Sequence, residues 1–239
     1  NKKNIKTLAP YNLVKTMRAG VLVLGPLVAK YKKAKISLPG GCAIGSRPIN
    51  LHLFALKKLG AKIKIKNGYI FAEAKKGLNG AKINFPTISV GATENAILAA
   101  FNAVGLTVIK NCALEPEVLD LIKFLNKLGG NIKIVGRKIL VKGCKKIKKK
   151  FSHKVIFDRI ELGTYLIAAA LVGKKIKINK INLNLIKNEI DVLKKMGVKL
   201  KSQKTSVEVL KSDHIKKINI STKPYPGFPT DLQAQLMVL

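Results

Sequence analysis

Cys42 is the residue of this sequence whose surroundings are best suited to chemistry. It lies in a loop with three glycines between residues 40 and 45, and Arg47 and Pro48 follow shortly afterwards. Glycine lets the backbone approach a ligand closely and leaves N–H groups free to bind phosphate. Pro48 favours the first turn of a helix, which places Arg47 at a helix N-terminus, where anions bind. The loop is a candidate anion site, although a free cysteine is more often a small core residue.

Asp231 follows a second loop, residues 224–230, which three prolines stiffen. Thr230 and Asp231 are both residue types that cap the N-termini of helices. A carboxylate held in such a place could equally act as a general base. The pattern leaves both interpretations of Asp231 open.

Arginine is rare in this chain, with four residues among 46 basic ones. Arg18, Arg47 and Arg159 each lie beside glycine-rich or acidic residues. This placement indicates a need for the planar guanidinium group, which binds carboxylates and phosphates through two parallel hydrogen bonds. Chance placement is the alternative for each of the three.

The other titratable residues have simpler interpretations. Two acidic pairs are typical of helix starts, where carboxylates favour the positive end of the helix dipole: Glu115 with Glu117, and Asp158 with Glu161. His52 lies on the helix after the cysteine loop and is expected to support that loop. We expect solvated loop positions for His153 and His214, and core or loop positions for Cys112 and Cys144.

The composition excludes several classes of protein. The 239 residues carry 46 Lys and Arg against 12 Asp and Glu, a net charge of +34, and 47% are hydrophobic. This apolar content is enough for a core and excludes a disordered chain. Lysines are spread from Lys2 to Lys223 and aromatic residues make up only 5%, whereas nucleic-acid-binding surfaces concentrate charge and interleave aromatic rings. No specific nucleic-acid partner is predicted, and a lysine-rich nucleic-acid-binding scaffold is kept as an alternative.

Cysteine usage and hydropathy indicate the compartment. Three cysteines without metal-binding spacing predict neither a disulfide framework nor a metal site, which favours a reducing compartment. The longest clean apolar run, residues 19–29, is shorter than the roughly 18 residues that span a membrane. The sequence predicts a soluble, cytoplasmic protein without a membrane partner. It begins at Asn1 and ends at Leu239 inside a helical pattern, so we expect both ends to continue.

A repeat of about 68 residues organises the chain. Three amphipathic helices end at Gly60, Gly129 and Gly197, which are 69 and 68 residues apart. Glycine at this position allows the left-handed turn that stops a helix. A pair of strands follows each of these helices, and a further helix and a short strand precede it. The repeating unit is β-α-β-α-β-β, and residues 217–221 are expected to begin a fourth copy.

The pattern predicts an α/β (α+β) protein in which neighbouring units share a core, because one unit cannot bury its helices alone. The first helix of each unit is predicted at 11–31, 92–104 and 159–172. Strands are predicted at 34–38, 61–66, 69–74, 81–85, 107–110, 131–135, 138–141, 154–157, 175–179 and 217–221. Function is expected where the copies differ, mainly in the loops between strands and helices.

The sequence resembles the UDP-N-acetylglucosamine 1-carboxyvinyltransferase family of enolpyruvyl transferases. The motifs that carry the resemblance follow the family's order along nearly the whole chain: residues 9–18, Leu38-Pro-Gly-Gly-Cys-Ala-Ile-Gly-Ser-Arg-Pro48, residues 89–93, 115–117 and 158–161, and Phe228-Pro-Thr-Asp-Leu-Gln-Ala-Gln235. The cysteine loop and the last motif are highly specific. The resemblance implies a two-domain enolpyruvyl-transferase-like fold built of repeated β-α-β-α-β-β units. Residues 1–156 would form most of the first domain, and residues 157–239 would begin the second.

The resemblance also implies an activity, namely transfer of the enolpyruvyl group of phosphoenolpyruvate to the 3′-hydroxyl of UDP-N-acetylglucosamine in peptidoglycan synthesis. Cys42 would act as a proton donor and react with fosfomycin, and Asp231 would help to deprotonate the sugar hydroxyl. The residues that would bind the substrates are Arg18, Arg47, Pro48, Ile49, Asn50, Leu51, Ser89, Val90 and Gly91. No metal and no organic cofactor is implied.

Some features depart from the family's pattern. Asn50 stands where relatives commonly have Asp, and Thr87 stands where some have Lys. The family's N-terminal Lys-Asn pair and its C-terminal arginines have no counterpart within these 239 residues. The nearest alternative is the sister enzyme that acts on shikimate 3-phosphate, and the Pro-Gly-Gly-Cys loop argues against it.

We predict that the 239 residues alone are inactive, because the cationic residues expected to hold phosphoenolpyruvate lie outside them. The measurement is phosphate release from phosphoenolpyruvate in the presence of UDP-N-acetylglucosamine, with the full-length protein as the control. Robust phosphate release by the 239-residue chain would contradict the prediction.

Overall fold

A computed structural model describes residues 5–39, 48–144, 146–173 and 175–239. The chain divides into two compact units, Asn1–His153 and Lys154–Leu239. The domain boundary expected from the sequence, after residue 156, stays a prediction for the complete protein.

The first repeat of unit 1 forms a four-stranded sheet. Its strands are β1 (Leu8–Ala9), β2 (Lys33–Ser37), β3 (Lys62–Lys66) and β4 (Tyr69–Glu73), in the order β1-β2-β4-β3. The pair β1 and β2 is parallel, and the other pairs are antiparallel. Its helices are α1 (Tyr11–Val14), a 3₁₀ helix (Arg18–Val23), α2 (Leu24–Tyr31) and α3 (Asn50–Lys58).

The second repeat has the same topology. Its strands are β5 (Lys82–Asn84), β6 (Leu106–Lys110), β7 (Asn131–Val135) and β8 (Lys138–Lys142), in the order β5-β6-β8-β7. The pair β5 and β6 is again parallel and the others are antiparallel. Its helices are α4 (Val90–Ala100) and α5 (Pro116–Lys127). The two sequence repeats are therefore two copies of one structural unit.

Unit 2 contains the third repeat and the segment after it. It comprises α6 (Arg159–Val172), β9 (Ile176–Asn179), a 3₁₀ helix (Leu183–Leu185), α7 (Lys187–Lys195), β10 (Leu200–Gln203), β11 (Ser206–Val209), a 3₁₀ helix (Thr230–Leu232) and α8 (Gln233–Val238). The three strands form an antiparallel sheet in the order β10-β11-β9. A separate core gathers around Leu166, Ile186 and Val209, which are fully buried.

Local sequence explains most of these elements. In β8 the alternation buries Ile139 and Val141 and leaves Lys138 and Lys142 exposed, as expected for a sheet with one face in the core. The helix-ending glycines adopt left-handed φ angles of 98°, 109° and 92° at residues 60, 129 and 197. A side chain there would oppose the turn, so these glycines fix where each repeat leaves its helix.

Helix α4 is the centre of the core of unit 1. Both α2 and α3 pack against it. Its small residues Ala92, Ala96, Ala99 and Ala100 are buried, which lets the neighbouring helices approach closely. Gly25 makes the closest approach, because a β-carbon there would overlap Asn95 of α4.

The expected single helix over 11–31 is wrong, since it is broken into α1, the 3₁₀ helix and α2. Pro26 provides the physical reason for the place where α2 begins. Proline lacks an N–H group and clashes with the carbonyl four residues earlier, so it is tolerated only in the first turn of a helix. Helix α2 begins at Leu24, which places Pro26 in that first turn.

Two expected strands, 154–157 and 217–221, are not strands in the described residues. In unit 1 each leading strand pairs in parallel with the strand after the next helix. The 239 residues end directly after α8, so residues 217–221 have no such partner among them. Val155 is 73% exposed, while Phe157 packs against the core of unit 2, so this segment contacts the core without forming a strand. The short strand β1 was not expected from the sequence.

Replacing Gly25 with Ala is expected to destabilise unit 1 by about 1–3 kcal/mol. Alanine is the better helix former, but its β-carbon would lie 2.7 Å from the backbone oxygen of Asn95 and 3.3 Å from Ala99. Calorimetric unfolding of the full-length protein measures the loss. The matched control is Lys30→Ala on the exposed side of α2, and an equal effect in both variants would contradict the prediction.

Candidate active site

The predicted substrate-binding residues before α3 lie beside Arg18. Pro48 is exposed, Ile49 is buried in the core, and Asn50 and Leu51 begin α3. The Arg18 guanidinium donates a hydrogen bond of 3.5 Å from Nη2 to the carbonyl oxygen of Pro48. Cys42 and Arg47 lie outside the described residues, so their roles stay predictions.

Ser89, Val90 and Gly91 form the start of α4. Ser89 is the N-cap residue, and its side chain accepts a hydrogen bond of 3.4 Å from the Ala92 amide. Thr93 Oγ1 donates to the Ser89 carbonyl at 2.7 Å, which fixes the turn. The first turn of α4 contains no acidic residue. The Val90 and Gly91 amides have no acceptor among the described residues, and together with the positive end of the helix dipole they present an anion-receptive surface.

Two buried side chains join these segments. Asn95 Oδ1 accepts a hydrogen bond of 2.8 Å from the Gly25 amide, and Asn95 Nδ2 lies 3.2 Å from the Val21 carbonyl and 3.1 Å from His52 Nδ1. The ring of His52 in turn faces Gly91, where a β-carbon would lie 3.1 Å from Cε1. Burial, and secondarily the positive charge of Arg18, lower the pKa of His52 to about 4.

The predicted residues of unit 1 that the structure describes thus come together around α4. Arg18 contacts the segment before α3, and His52 on α3 contacts the start of α4. The expectation that His52 supports the cysteine loop is not tested, because residues 40–47 lie outside the described residues. Sequence reasoning missed Asn95, since a mid-helix asparagine carries no signal before its neighbours are known.

A group of carboxylates lies next to this surface. Glu115 is the N-cap residue of α5 and Glu117 lies in its first turn, as expected for helix-start acids. Burial, and then the charges of Glu117 and Glu115, raise the pKa of Glu94 to about 7. Glu94 lies in the middle of α4 and was also missed from the sequence, because its acidic neighbours come from another helix.

In unit 2, α6 begins with carboxylates that interact with its own N-terminus. Asp158 is the N-cap, and its Oδ1 accepts hydrogen bonds from Ile160 N at 2.8 Å and Glu161 N at 3.1 Å. The helix-start interpretation of this motif is confirmed. Arg159 is 7% exposed, and its Nη1 lies 3.3 Å from Glu189 Oε1, which ties α6 to α7. The guanidinium also lies over the ring of Tyr225, 5.8 Å from its centre.

Asp231 is an exposed carboxylate in a firmly held turn. Phe228 and Leu232 are buried on either side of it, and Leu232 contacts Gly163 of α6. The capping interpretation is wrong, because the 3₁₀ helix Thr230–Leu232 has Pro229 as its N-cap, without a side-chain capping bond. The prolines set this turn, so the Asp231 carboxylate is not used in helix capping.

The structure also shows the surroundings of Cys112, His153 and His214. Burial raises the pKa of the Cys112 thiol to about 11, which argues against a nucleophilic role. His214 is exposed, as expected. The expectation of a solvated His153 is wrong, because its side chain is 7% exposed and Nε2 lies 3.1 Å from Asp120 Oδ2. Its ring also packs edge-on against Phe124, which removes it from water.

No group of three or more His, Cys, Asp or Glu side chains within the described ranges could hold a metal ion. Across these same ranges, no helix combines the length and hydropathy that crossing a bilayer requires.

Solved structures share this fold. The enolpyruvyl transferase NikO from Streptomyces tendae matches with a TM-score of 0.79 at 19% identity, covering 97% of this chain and 55% of NikO. An EPSP synthase from Acinetobacter baumannii matches with a TM-score of 0.63 at 19% identity, covering 85% of this chain and 48% of that one. The chain therefore has the fold of the enolpyruvyl transferases, which confirms the predicted fold class.

The family follows from sequence. A model of the family described as EPSP synthase (3-phosphoshikimate 1-carboxyvinyltransferase) matches residues 1–239, and the chain belongs to this family. A UDP-N-acetylglucosamine 1-carboxyvinyltransferase of Pelagibacter ubique is 56% identical over 100% of this chain and 57% of its own length. One from Vesicomyosocius okutanii is 51% identical over 97% of this chain and 55% of its own. The chain thus spans a little over half the length of these curated relatives.

Glu94 is expected to make stability depend on pH. Its pKa of about 7 in the folded chain exceeds the ordinary value of 4.5, so the folded state binds a proton more tightly than the unfolded state. Protonation of Glu94 therefore stabilises the folded state fully below about pH 4.5, and this stabilisation is lost as the pH rises through about 7. Glu94→Gln should remove this loss.

Denaturant unfolding of the full-length protein between pH 5 and 8 measures the effect. The matched control is Glu73→Gln, an exposed carboxylate in β4 that lies 3.9 Å from Lys75 Nζ. A stability profile that falls equally in Glu94→Gln and in the unaltered protein would show that Glu94 is not the group responsible.

Proposed function

We propose that the complete protein containing this chain transfers the enolpyruvyl group of phosphoenolpyruvate to the 3′-hydroxyl of UDP-N-acetylglucosamine and releases phosphate. The proposal is supported by relatives of that name that are 56% and 51% identical. The observation that carries it is the grouping of Arg18 and residues 48–51 with residues 89–91 around an anion-receptive helix start. This reaction is the first committed step of peptidoglycan synthesis, and we place it in the cytoplasm.

The reaction is an addition followed by an elimination. In the addition, the sugar oxygen bonds to C2 of phosphoenolpyruvate while a proton is added at C3. In the elimination, a proton leaves C3, the bond between C2 and the phosphate oxygen breaks, and phosphate departs. Such steps need a proton donor, a base and cations around the phosphate, with water excluded.

Each predicted residue has a role in this scheme. Cys42 donates the proton to C3, and Asp231 helps to remove the proton from the sugar hydroxyl. Arg18 and Arg47 hold anionic groups of the substrates. The start of α4, residues 89–91, binds the nucleotide portion through its amides, and residues 48–51 line the same portion.

Asp231 suits the role of base because of its surroundings. Its carboxylate is exposed and is not used in helix capping, while the buried neighbours Phe228 and Leu232 fix the backbone on both sides. A base held by a stiff turn stays in one position relative to its own unit, which limits the entropy lost in reaching the reactive geometry.

Replacing Cys42 with Ser or Asp231 with Asn is expected to lower kcat by about 10²–10⁴-fold, because each removes a proton-transferring group. The measurement is phosphate release by the full-length protein with UDP-N-acetylglucosamine. Cys144→Ser, at a loop cysteine outside the proposed site, is the matched control and should leave the rate unchanged. Shikimate 3-phosphate replaces the sugar nucleotide in a parallel assay, and a preference for it would contradict the proposal.

Fosfomycin provides a separate test of the cysteine. We expect intact-mass spectrometry to show one adduct on the full-length protein and peptide mapping to place it on Cys42. Adduct formation should be faster with UDP-N-acetylglucosamine present. An unmodified Cys42 would point to a protein without this transferase chemistry.

A further inference from the structure

The side chain of Asn95 is fixed in one orientation by two backbone groups. It is fully buried in the middle of α4. The Gly25 amide is a donor, so the oxygen of Asn95 must face it, at 2.8 Å. The Val21 carbonyl is an acceptor, so the nitrogen of Asn95 must face it, at 3.2 Å. The amide cannot turn over without placing like groups against each other on both sides.

This orientation determines the tautomer of His52. The Asn95 nitrogen that lies 3.1 Å from His52 Nδ1 is a donor only. Nδ1 must therefore accept, and a neutral imidazole that accepts at Nδ1 carries its proton on Nε2. The lowered pKa of His52 agrees with a neutral ring.

The Nε2 edge of the ring faces the start of α4. A β-carbon at Gly91 would lie 3.3 Å from Nε2 and 3.1 Å from Cε1. Within the described part of the chain Nε2 has no hydrogen-bond partner, and it is not sealed in the core. Arg18 is close enough for its charge to act on the ring. The N–H of His52 is therefore a donor beside the anion-receptive surface.

We propose that Asn95 holds His52 as the Nε2–H tautomer, and that this N–H donates a hydrogen bond to a phosphate oxygen of the bound nucleoside diphosphate sugar. Asn95 is a positioning residue in this arrangement, and His52 is a binding residue. The inference rests on the proposed function for the identity of the ligand. The tautomer itself follows from contacts within unit 1 alone.

A neutral hydrogen-bond donor next to Arg18 has a different effect on a bound anion from that of the surrounding positive charge. The guanidinium and the helix start supply positive charge, which attracts an anion from many directions. A single N–H on a buried, immobile ring has one direction and one length. His52 would therefore select where a phosphate oxygen sits, while Arg18 and α4 supply most of the attraction.

The tautomer is measured directly by nitrogen NMR of the full-length protein labelled with ¹⁵N in the histidine rings, at pH 7. The expected spectrum for His52 has a protonated Nε2 and an unprotonated Nδ1. A proton on Nδ1, alone or together with one on Nε2, would overturn the proposal. In Asn95→Leu the His52 ring should no longer be held in a single tautomer. An unchanged spectrum would show that Asn95 does not determine the tautomer.

The binding role is tested with two replacements of His52 that are both neutral and polar. His52→Gln can place an amide N–H near the position of Nε2. The shorter side chain of His52→Asn places its amide only near the position of Nδ1. Isothermal titration of the full-length variants with UDP-N-acetylglucosamine and with UDP measures Kd. We expect His52→Asn to weaken both by about tenfold to hundredfold, and His52→Gln to retain most of the affinity.

The outcomes separate this proposal from the proposed function. Equal losses in His52→Asn and His52→Gln would indicate a structural role only and would overturn the binding role. Unaltered binding in His52→Asn would overturn it as well. If the unaltered protein binds neither ligand, the proposed function and the binding role both fail, and the NMR experiment still decides the tautomer.

Discussion

The side-chain amide of Asn95 is the interaction on which the geometry of unit 1 depends. It joins the 3₁₀ helix at Val21, helix α2 at Gly25 and helix α3 at His52 to the middle of α4. A buried polar group is costly unless its hydrogen bonds are made, so all four segments must keep their relative positions for this amide to be satisfied. The close contact at Gly25 is a consequence, because only glycine lets α2 come near enough. The residues that we propose to bind the substrates are attached to these same segments.

The surface electrostatics follow from this core. The chain has a net charge of +34, yet spread lysines attract anions without orienting them. Direction comes from fixed groups, namely the amides at the start of α4 and the Arg18 guanidinium held by the Pro48 carbonyl. Glu94 lies one turn further along α4, and its negative charge opposes the attraction of anions. Burial disfavours the ionised form of this carboxyl group and so reduces that charge. The positive end of the helix therefore keeps more of its attraction than a fully ionised Glu94 would allow.

The repeat could be predicted from sequence, because its signals are local. Gly60, Gly129 and Gly197 need left-handed backbone angles, and that need is visible in the residue type. The start of α2 beside Pro26 also has a local signal. The roles of Asn95 and Glu94 and the burial of His153, by contrast, could not be predicted in this way. Each depends on a partner distant in sequence, such as Asp120 for His153, 33 residues away. The candidate substrate-binding residues of unit 1 are expected from the resemblance to the enolpyruvyl transferases, and their roles stay predictions.

The repeats also show how one architecture gives two different helix starts. Helices α4 and α6 hold the same place in the second and third repeats. Ser89 caps α4 with a neutral hydroxyl, and its first turn has no acid. Asp158 caps α6 with a carboxylate that accepts two amide hydrogen bonds, and Glu161 adds a second negative charge. The positive end of the α6 dipole is thus matched by carboxylates of its own first turn, whereas the first turn of α4 has only a neutral cap. Divergence at the capping position, rather than in the sheet or the core, therefore gives the two repeats helix starts of different charge, and the neutral start of α4 is the one we propose for anion binding.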